Sequence, residues 1–431
     1  MKPSPVDEPQ ENGDTSAGAG PLAGVKVLDA GVLFAGPIIG TILADFGADV
    51  VKIEHPRGDP LRTLGWRKDD VSLWWAFANR NKQCISVNLS TEEGQGLLRE
   101  LVADVDVLIE SFRPGTLERW GLGYEDLSAI NPRLILTRVS GFGQTGPYSR
   151  RPGFGTAAEA MSGFAHINGY PDGPPTLPSF ALGDGVCALF GAIATLMALF
   201  HRVNGGGRGQ VVDVSIFEPL FWLLGPQTIV FDQLGVVQGR TGNHTDWTSP
   251  RNVYKSRDER WLALSASSQS IAERVMNLIG RSDLLEEPWF QDHAGRLEHE
   301  DELDESIASW IASRSEAEVI AAFEEFEAVI APVYTIADIF SDPHYAARET
   351  ITTVHHDTLG SVRVQNVVPR LSATPGAVRH LGRRIGEDNH RVLVEQLGHT
   401  EVELEQWIAE GVVGVDQENV ETIPSVALEE Q

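Results

Sequence analysis

Two short apolar runs, Val25-Lys-Val-Leu-Asp29 and Asp49-Val-Val-Lys-Ile-Glu54, flank a helical pattern through Ile38, Ile42, Leu43 and Phe46. Pro37 stands near the start of that pattern, at a permitted first helical position, and Gly47 ends it. A strand, a helix and a second strand in so short a span form a β-α-β unit. The helical crossover makes the two strands parallel neighbours, so the chain opens as a Rossmann-like α/β sheet.

The alternation continues. Cys84–Leu89, Val105–Glu110, Leu134–Val139 and Val211–Ile216 read as strands, with helices over Thr91–Ala103, Leu117–Trp120 and Ala157–Phe164 between them. Gly141-Phe-Gly-Gln-Thr-Gly146 follows a strand and has the spacing of a dinucleotide fingerprint. It lacks the helix that must open at the third glycine, because Pro147-Tyr-Ser-Arg-Arg-Pro152 comes next, so it is read as a loop crossing a ligand. The domain plan that follows is a polar, disordered tail over 1–20, a large domain over 21–216 and apolar linker helices over 217–248. A small α/β domain over 249–345 comes next, then a return over 346–412 whose helices pack on the large domain, and an acidic tail over 413–431.

One stretch stands out within this frame: Phe180-Ala-Leu-Gly-Asp-Gly-Val-Cys187, followed by small and apolar residues to Phe200 and then His201 and Arg202. It reads as a buried helix with Asp184 at its N-cap between two glycines. A carboxylate there accepts backbone N–H bonds and feels the positive helix end, which keeps it ionised. Taken alone, that is the description of an ordinary cap.

Lys and Arg number 34 and Asp and Glu 61, a net charge of −27, which repels nucleic acid and anionic membranes. Any phosphate-bearing ligand must therefore meet a local basic pocket. Two cysteines, Cys84 and Cys187, exclude a disulfide framework and fit a reducing compartment. No signal peptide is visible, and the apolar run Val186–Phe200 is short for a membrane span. The expectation is a cytoplasmic protein with no metal site, no membrane partner and no nucleic-acid partner.

Several pieces, in order and at family spacing, carry a resemblance. They are Leu22-Ala-Gly-Val-Lys-Val-Leu-Asp29, Ala35-Gly-Pro37, Gly47-Ala-Asp-Val-Val-Lys-Ile-Glu54, Asn81-Lys82 and Phe112-Arg-Pro-Gly115. Further along come Asn131-Pro132, Gly141-Phe-Gly143, Asp172-Gly-Pro-Pro175, Leu182-Gly-Asp184, Gly207-Arg-Gly-Gln210 and Arg240-Thr-Gly-Asn243. The chain, from about Pro21 to Glu410, resembles the class III CoA-transferases, a family that also includes α-methylacyl-CoA racemase. The resemblance implies an interlocked homodimer acting on acyl-CoA and a carboxylic acid, with coenzyme A as substrate and no tightly bound cofactor. It implies that Asp184 is the nucleophile and passes through an aspartyl-CoA thioester. It places CoA contacts on Phe34, Ala35, His55, Asn79, Arg80, Asn81, Lys82, Ser111, Phe112, Arg113, Arg119, Ser140, Gly141, Phe142 and Gly143. Lys82 and Arg119 are the cations expected to meet the phosphates.

The sequence departs from formyl-CoA transferase at four places. Phe34 replaces a glutamine, His55 an arginine and Ser140 a lysine, and a tetraglycine lid is absent, so oxalate and formate are not the expected substrates. The racemase branch carries a histidine base where Phe154 stands here, and a proton-abstracting pair needs two bases. The expected activity is acyl-CoA:carboxylate CoA transfer. The alternatives are a 2-methylacyl-CoA epimerase and a catalytically silent CoA-binding protein.

Overall fold

A computed structural model describes residues 20–416. The expected N-terminal tail lies outside these residues, apart from Gly20. Of the acidic tail expected over 413–431, Val413 pairs with Val87 and the Gly414 N–H reaches the Ser86 carbonyl at 3.3 Å, while 417–431 lie outside the described residues. The contacts divide the chain into two units.

Among the described residues the first unit comprises 20–158, Ala181–Pro219 and 349–416. Its strands are β1 (Lys26–Ala30), β2 (Asp49–Glu54), a two-residue ribbon β3 (Arg67–Lys68) and β4 (Val71–Ser72), β5 (Gln83–Ser86), β6 (Val107–Glu110), β7 (Ile135–Ser140) and β8 (Val211–Ser215). Six of them form one sheet in the order β5-β2-β1-β6-β7-β8, every pair parallel. Counted along the chain this is third, second, first, fourth, fifth, sixth. The order reverses between β1 and β6, and in such sheets ligands bind in the crevice outside the strand carboxyl ends at that point.

The helices of this unit are α1 (Ala35–Asp45), α2 (Leu73–Ala78), α3 (Glu92–Val102), α4 (Thr116–Arg119), α5 (Tyr124–Ile130), α6 (Gly155–Met161, passing into the second unit), and, after α7 (Phe164–Ile167) of that second unit, α8 (Leu182–His201). The Thr91 hydroxyl caps α3 by accepting the Gly94 N–H. The core on one sheet face joins Leu28, Ile85, Leu108 and Leu136 to Leu97 and Leu101 of α3. It also takes in Val392, Leu393 and Leu404 from the C-terminal return.

The second unit comprises Glu159–Phe180 and Leu220–Arg348. Residues 159–180, which the sequence plan kept in the large domain, belong here, together with most of the segment expected to be linker helices. Its sheet runs β11 (Ile330–Pro332), β10 (Trp261–Ser265), β9 (Arg251–Lys255), all antiparallel, over a core of Leu262, Val275, Met276, Phe290, Ile307 and Phe323. In the first unit's C-terminal part, β12 (Ile351–His356) and β13 (Gly360–Gln365) form a hairpin.

Leu182–Gly206, α8 with the π-helical turn that follows it, is long and apolar enough to cross a membrane by length and composition. Half of an 18-residue apolar window within it is buried inside the fold. The sequence reading counted only Val186–Phe200 and so took the run as too short.

Candidate active site

Asp184 lies in the first turn of α8, but not at its cap. Ala181 holds the N-cap position, and Asp184 is the third helical residue. The expected electrostatics survive the correction, because a carboxylate within the first turn still meets the positive end of the helix. The Asp184 side chain is half-buried. Gly155 packs directly against it: a Cβ at Gly155 would overlap one carboxylate oxygen. Cys187, one turn further on, is fully buried. Burial, with the Asp184 charge adding to it, pushes its thiol well up, so it stays a neutral thiol.

The segment that carries Gly155 starts at the end of β7. Ser140 closes that strand, and the chain then runs through Gly141-Phe-Gly143. Gly141 meets Gly153 backbone to backbone, where an added Cβ would lie 2.7 Å from the Gly153 Cα. Phe154 follows, 61% exposed, and then Gly155. The crossing loop expected from the sequence is therefore tied at both ends, and no helix opens after Gly146. Ser140 is almost fully buried, and its hydroxyl meets no partner among the described residues. Phe142 sits between Tyr148 and Phe217, 6.1 and 6.2 Å from their ring centroids.

Two further loops leave the sheet at its switch point. After β1 come Gly31 to Phe34 and then Ala35 of α1; after β6 come Ser111 to Arg113. They are joined where the Val32 N–H donates to Ser111 Oγ at 2.8 Å. Glu110, buried at the end of β6, accepts the Phe112 N–H at 2.7 Å and Arg138 Nε at 2.6 Å. Burial raises its carboxyl to about 7, with Arg138 opposing the rise. Phe34 packs edge-on against Trp74 and offers only an apolar ring here. His55, after β2, is half-buried; burial and the nearby Arg57 hold its pKa below the ordinary value, so it is neutral at pH 7 and does not replace an arginine's charge.

The group at 79–82 is corrected by its contacts. Lys82 is 1% exposed, and its ammonium donates to Asp29 Oδ2 at 2.7 Å, Pro37 O at 2.6 Å, Asn79 Oδ1 at 3.0 Å and Ala78 O at 3.1 Å. An ammonium has three protons, so nothing is left for a phosphate. Burial pulls its pKa to about 8 in spite of Asp29. Burial alone would raise the Asp29 carboxyl, but Lys52 and Lys82 outweigh it and hold it low, so both groups are charged at neutral pH. Arg80 is buried on Asp45 at 2.6 Å and on Gln365 O at 2.7 Å. Asn81 binds Asp45 and Ala377 O. Asn79 is buried beside Lys82. Arg80 and Asn81 thus bind the C-terminal return, while Lys82 and Asn79 stay with Asp29 and the start of α1. Their motif marks a structural joint, which the sequence cannot tell from a ligand site because both use the same polar residues.

Arg113 and Arg119 remain at the edge as exposed cations. Arg119 donates only to Gly115 O and Thr116 Oγ1, at 3.1 and 3.0 Å. Among the described residues Arg57 and Arg113 have no carboxylate partner. Sequence reasoning missed Arg57; its signal was its place two residues after His55 in the turn following β2. Among the described residues no cluster of His, Cys, Asp and Glu is arranged to hold a metal.

Residues 22–389 match the profile of CoA-transferase family III. The chain is 43% identical over 395 residues, 91% of its own length and 98% of the relative's, to the succinyl-CoA–D-citramalate CoA-transferase of Chloroflexus aurantiacus. It is 41% identical over 385 residues, covering 88% and 94% of the two chains, to the β subunit of the succinyl-CoA–L-malate CoA-transferase of the same organism. Among solved structures, a CAIB/BAIF family protein from Brucella suis superposes with a TM-score of 0.77 at 29% identity, covering 88% of this chain and 99% of that one. A six-stranded parallel sheet with this order, an aspartate in the first turn of the long helix and these matches converge on one conclusion: the chain belongs to CoA-transferase family III, enzymes that move CoA between carboxylic acids.

Proposed function

We propose that the enzyme takes CoA from a dicarboxylic acyl-CoA of the succinyl type and passes it to a second small dicarboxylate through Asp184. The substrate class rests on the relatives, which are named for succinyl-CoA with citramalate or malate as acceptor. The observation that carries the role of Asp184 is its carboxylate at the dipole-stabilised start of α8, with Gly155 against it.

An ionised carboxylate needs no base to become a nucleophile. One Asp184 oxygen attacks the thioester carbonyl, the C–S bond breaks, and CoA leaves as thiolate from a mixed anhydride. The thiolate then attacks the aspartyl carbonyl, the donor acid departs, and CoA is held as an aspartyl thioester. An acceptor carboxylate repeats the two steps in reverse, and Asp184 is regenerated with no net proton change. Backbone N–H groups at Ala35-Gly36 are the donors proposed for the developing oxyanions; the Gly185 N–H is already spent on the Ala181 carbonyl at 3.0 Å. Arg57, Arg113 and Arg119 are the cations proposed for the CoA phosphates. Phe154 cannot remove a proton, which leaves no partner base for epimerisation.

The test is chemical. Acyl-CoA without acceptor should leave an enzyme thioester that hydroxylamine converts to a hydroxamate on the peptide containing Leu182–Gly185. Asp184→Asn should fold and lose transfer. An adduct on another residue, or an active Asp184→Asn protein with reversion to Asp excluded, defeats the proposal.

We also propose a homodimer. On α8, Leu189, Ile193, Met197 and Phe200 fall on one helical face and are 56, 49, 66 and 72% exposed. A contiguous apolar stripe of that kind marks a surface that another surface covers.

A further inference from the structure

We propose that Asp59 is a positioning residue for CoA transfer. Through the backbone of Leu33 it holds the turn between β1 and α1 in one strained conformation, and that conformation aims the first peptide groups of α1. The inference rests on the transferase reading above and adds residues to it.

The polar backbone of the turn is captured group by group. The Gly31 N–H donates to Asp29 Oδ1 at 2.9 Å, and the Gly31 carbonyl accepts from Lys52 Nζ. The Val32 N–H donates to Ser111 Oγ. The Leu33 N–H points between both oxygens of Asp59, at 3.3 Å each. Asp59 is itself fixed: it is 5% exposed, accepts the Leu61 N–H at 2.8 Å, lies 3.7 Å from Lys52, and donates its own N–H to Glu54 at 3.0 Å. Side chains from β1 and β2 and from the turns that follow β2 and β6 thus converge on three consecutive residues.

What they hold is not a relaxed turn. Leu33 has φ +64°, in the left-handed region that an L-residue with a Cβ disfavours and that glycine fills readily. Such a conformation persists only where its surroundings over-determine it. Beyond Leu33, the N–H groups of Phe34, Ala35 and Gly36 meet no acceptor among the described residues. Their direction follows directly from the torsion at Leu33, and an error of about 1 Å at reacting groups costs on the order of a hundredfold in rate. A buried set of charges, Asp29, Lys52, Glu54, Asp59 and Lys82, sits beneath the turn. Burying so many charges is a poor route to stability, and positioning accounts for them.

The test compares Leu33→Gly, Leu33→Ala and Asp59→Asn in the full chain. Leu33→Gly removes the strain and frees the torsion, so its thermal midpoint should hold or rise while kcat falls about tenfold or more. Aspartyl-thioester formation from succinyl-CoA should slow in step, with the acceptor KM little changed. Leu33→Ala keeps the Cβ and the restricted torsion and should stay close to wild-type kinetics. Asp59→Asn keeps the hydrogen bond to Leu61 but weakens the grip on Leu33, so it should lose rate per folded molecule. Wild-type kinetics in Leu33→Gly, or an Asp59→Asn protein whose only change is a lower midpoint, overturns the proposal. If Asp59→Asn does not fold, the two Leu33 variants decide alone. Failure of the transferase reading looks different, because the parent enzyme would then form no adduct on Asp184.

Discussion

Lys82 shows how far a residue's type can mislead about its use. In an acidic chain that must hold a polyanionic ligand, a lysine in a polar corner is a reasonable phosphate partner. Its contacts make it a buried counter-ion of Asp29. Removing it leaves the buried Asp29 with only Lys52, 3.9 Å away, and the Gly31 N–H, and breaking a buried pair costs up to about 3–5 kcal/mol. Lys82→Met should therefore lower the urea midpoint strongly without changing the slope, while the folded fraction binds CoA as the parent does. Arg119→Ala should do the reverse: stability within about 0.5 kcal/mol of the parent, and CoA binding weaker by about tenfold or more. Equal effects of the two changes on CoA affinity would restore Lys82 to the binding site. Burial separates these two cations, and a local sequence window does not report it.

At the scale of elements, the parallel sheet was legible because each strand is a short apolar run bounded by turn residues. Asp49–Glu54 has the expected bounds, and the other strands of the parallel sheet shift by a few residues from theirs. The antiparallel strand Ile330–Pro332 was not legible: three residues ending in proline carry no periodicity, and only the edge of an existing sheet makes them a strand. Of the linker helices expected over 217–248, the structure forms two, Phe217–Leu223 and Gln227–Leu234, parted at Gly225-Pro226. The start of α8 was legible to within a turn, but its tight packing on α1 was not. A Cβ at Gly191 would overlap Ile39 Cδ1 and lie 3.1 Å from Ile39 Cγ1. Gly191→Val should thus force the two helices apart and cost about 1–3 kcal/mol, with lower kcat because α8 carries Asp184 and α1 the proposed oxyanion donors. An unchanged thermal midpoint would show that the contact yields. A glycine that permits such an approach looks, in sequence, like any other small residue in an apolar helix.

At the scale of the whole molecule, charge and apolar surface pull in opposite directions. Each chain carries −27, so two copies repel at long range. Association must then be driven by apolar burial, for which α8 offers Leu189, Ile193, Met197 and Phe200 along one face. That balance fixes the expected salt dependence. An interface held by surface ion pairs weakens as salt rises, whereas one that works against net repulsion holds or tightens as the repulsion is screened. Light scattering should give about twice the 47.0 kDa chain mass across a wide dilution range, at high salt at least as firmly as at low salt. Met197→Glu combined with Phe200→Glu places two carboxylates on the stripe of each copy, where they would be buried unpaired beside further negative charge. The doubly substituted chain should run as a monomer at low salt and recover association only partly at high salt. A parent protein that is a stable monomer throughout would remove the stripe as an interface, and a dimer indifferent to both substitutions would move the interface to another surface.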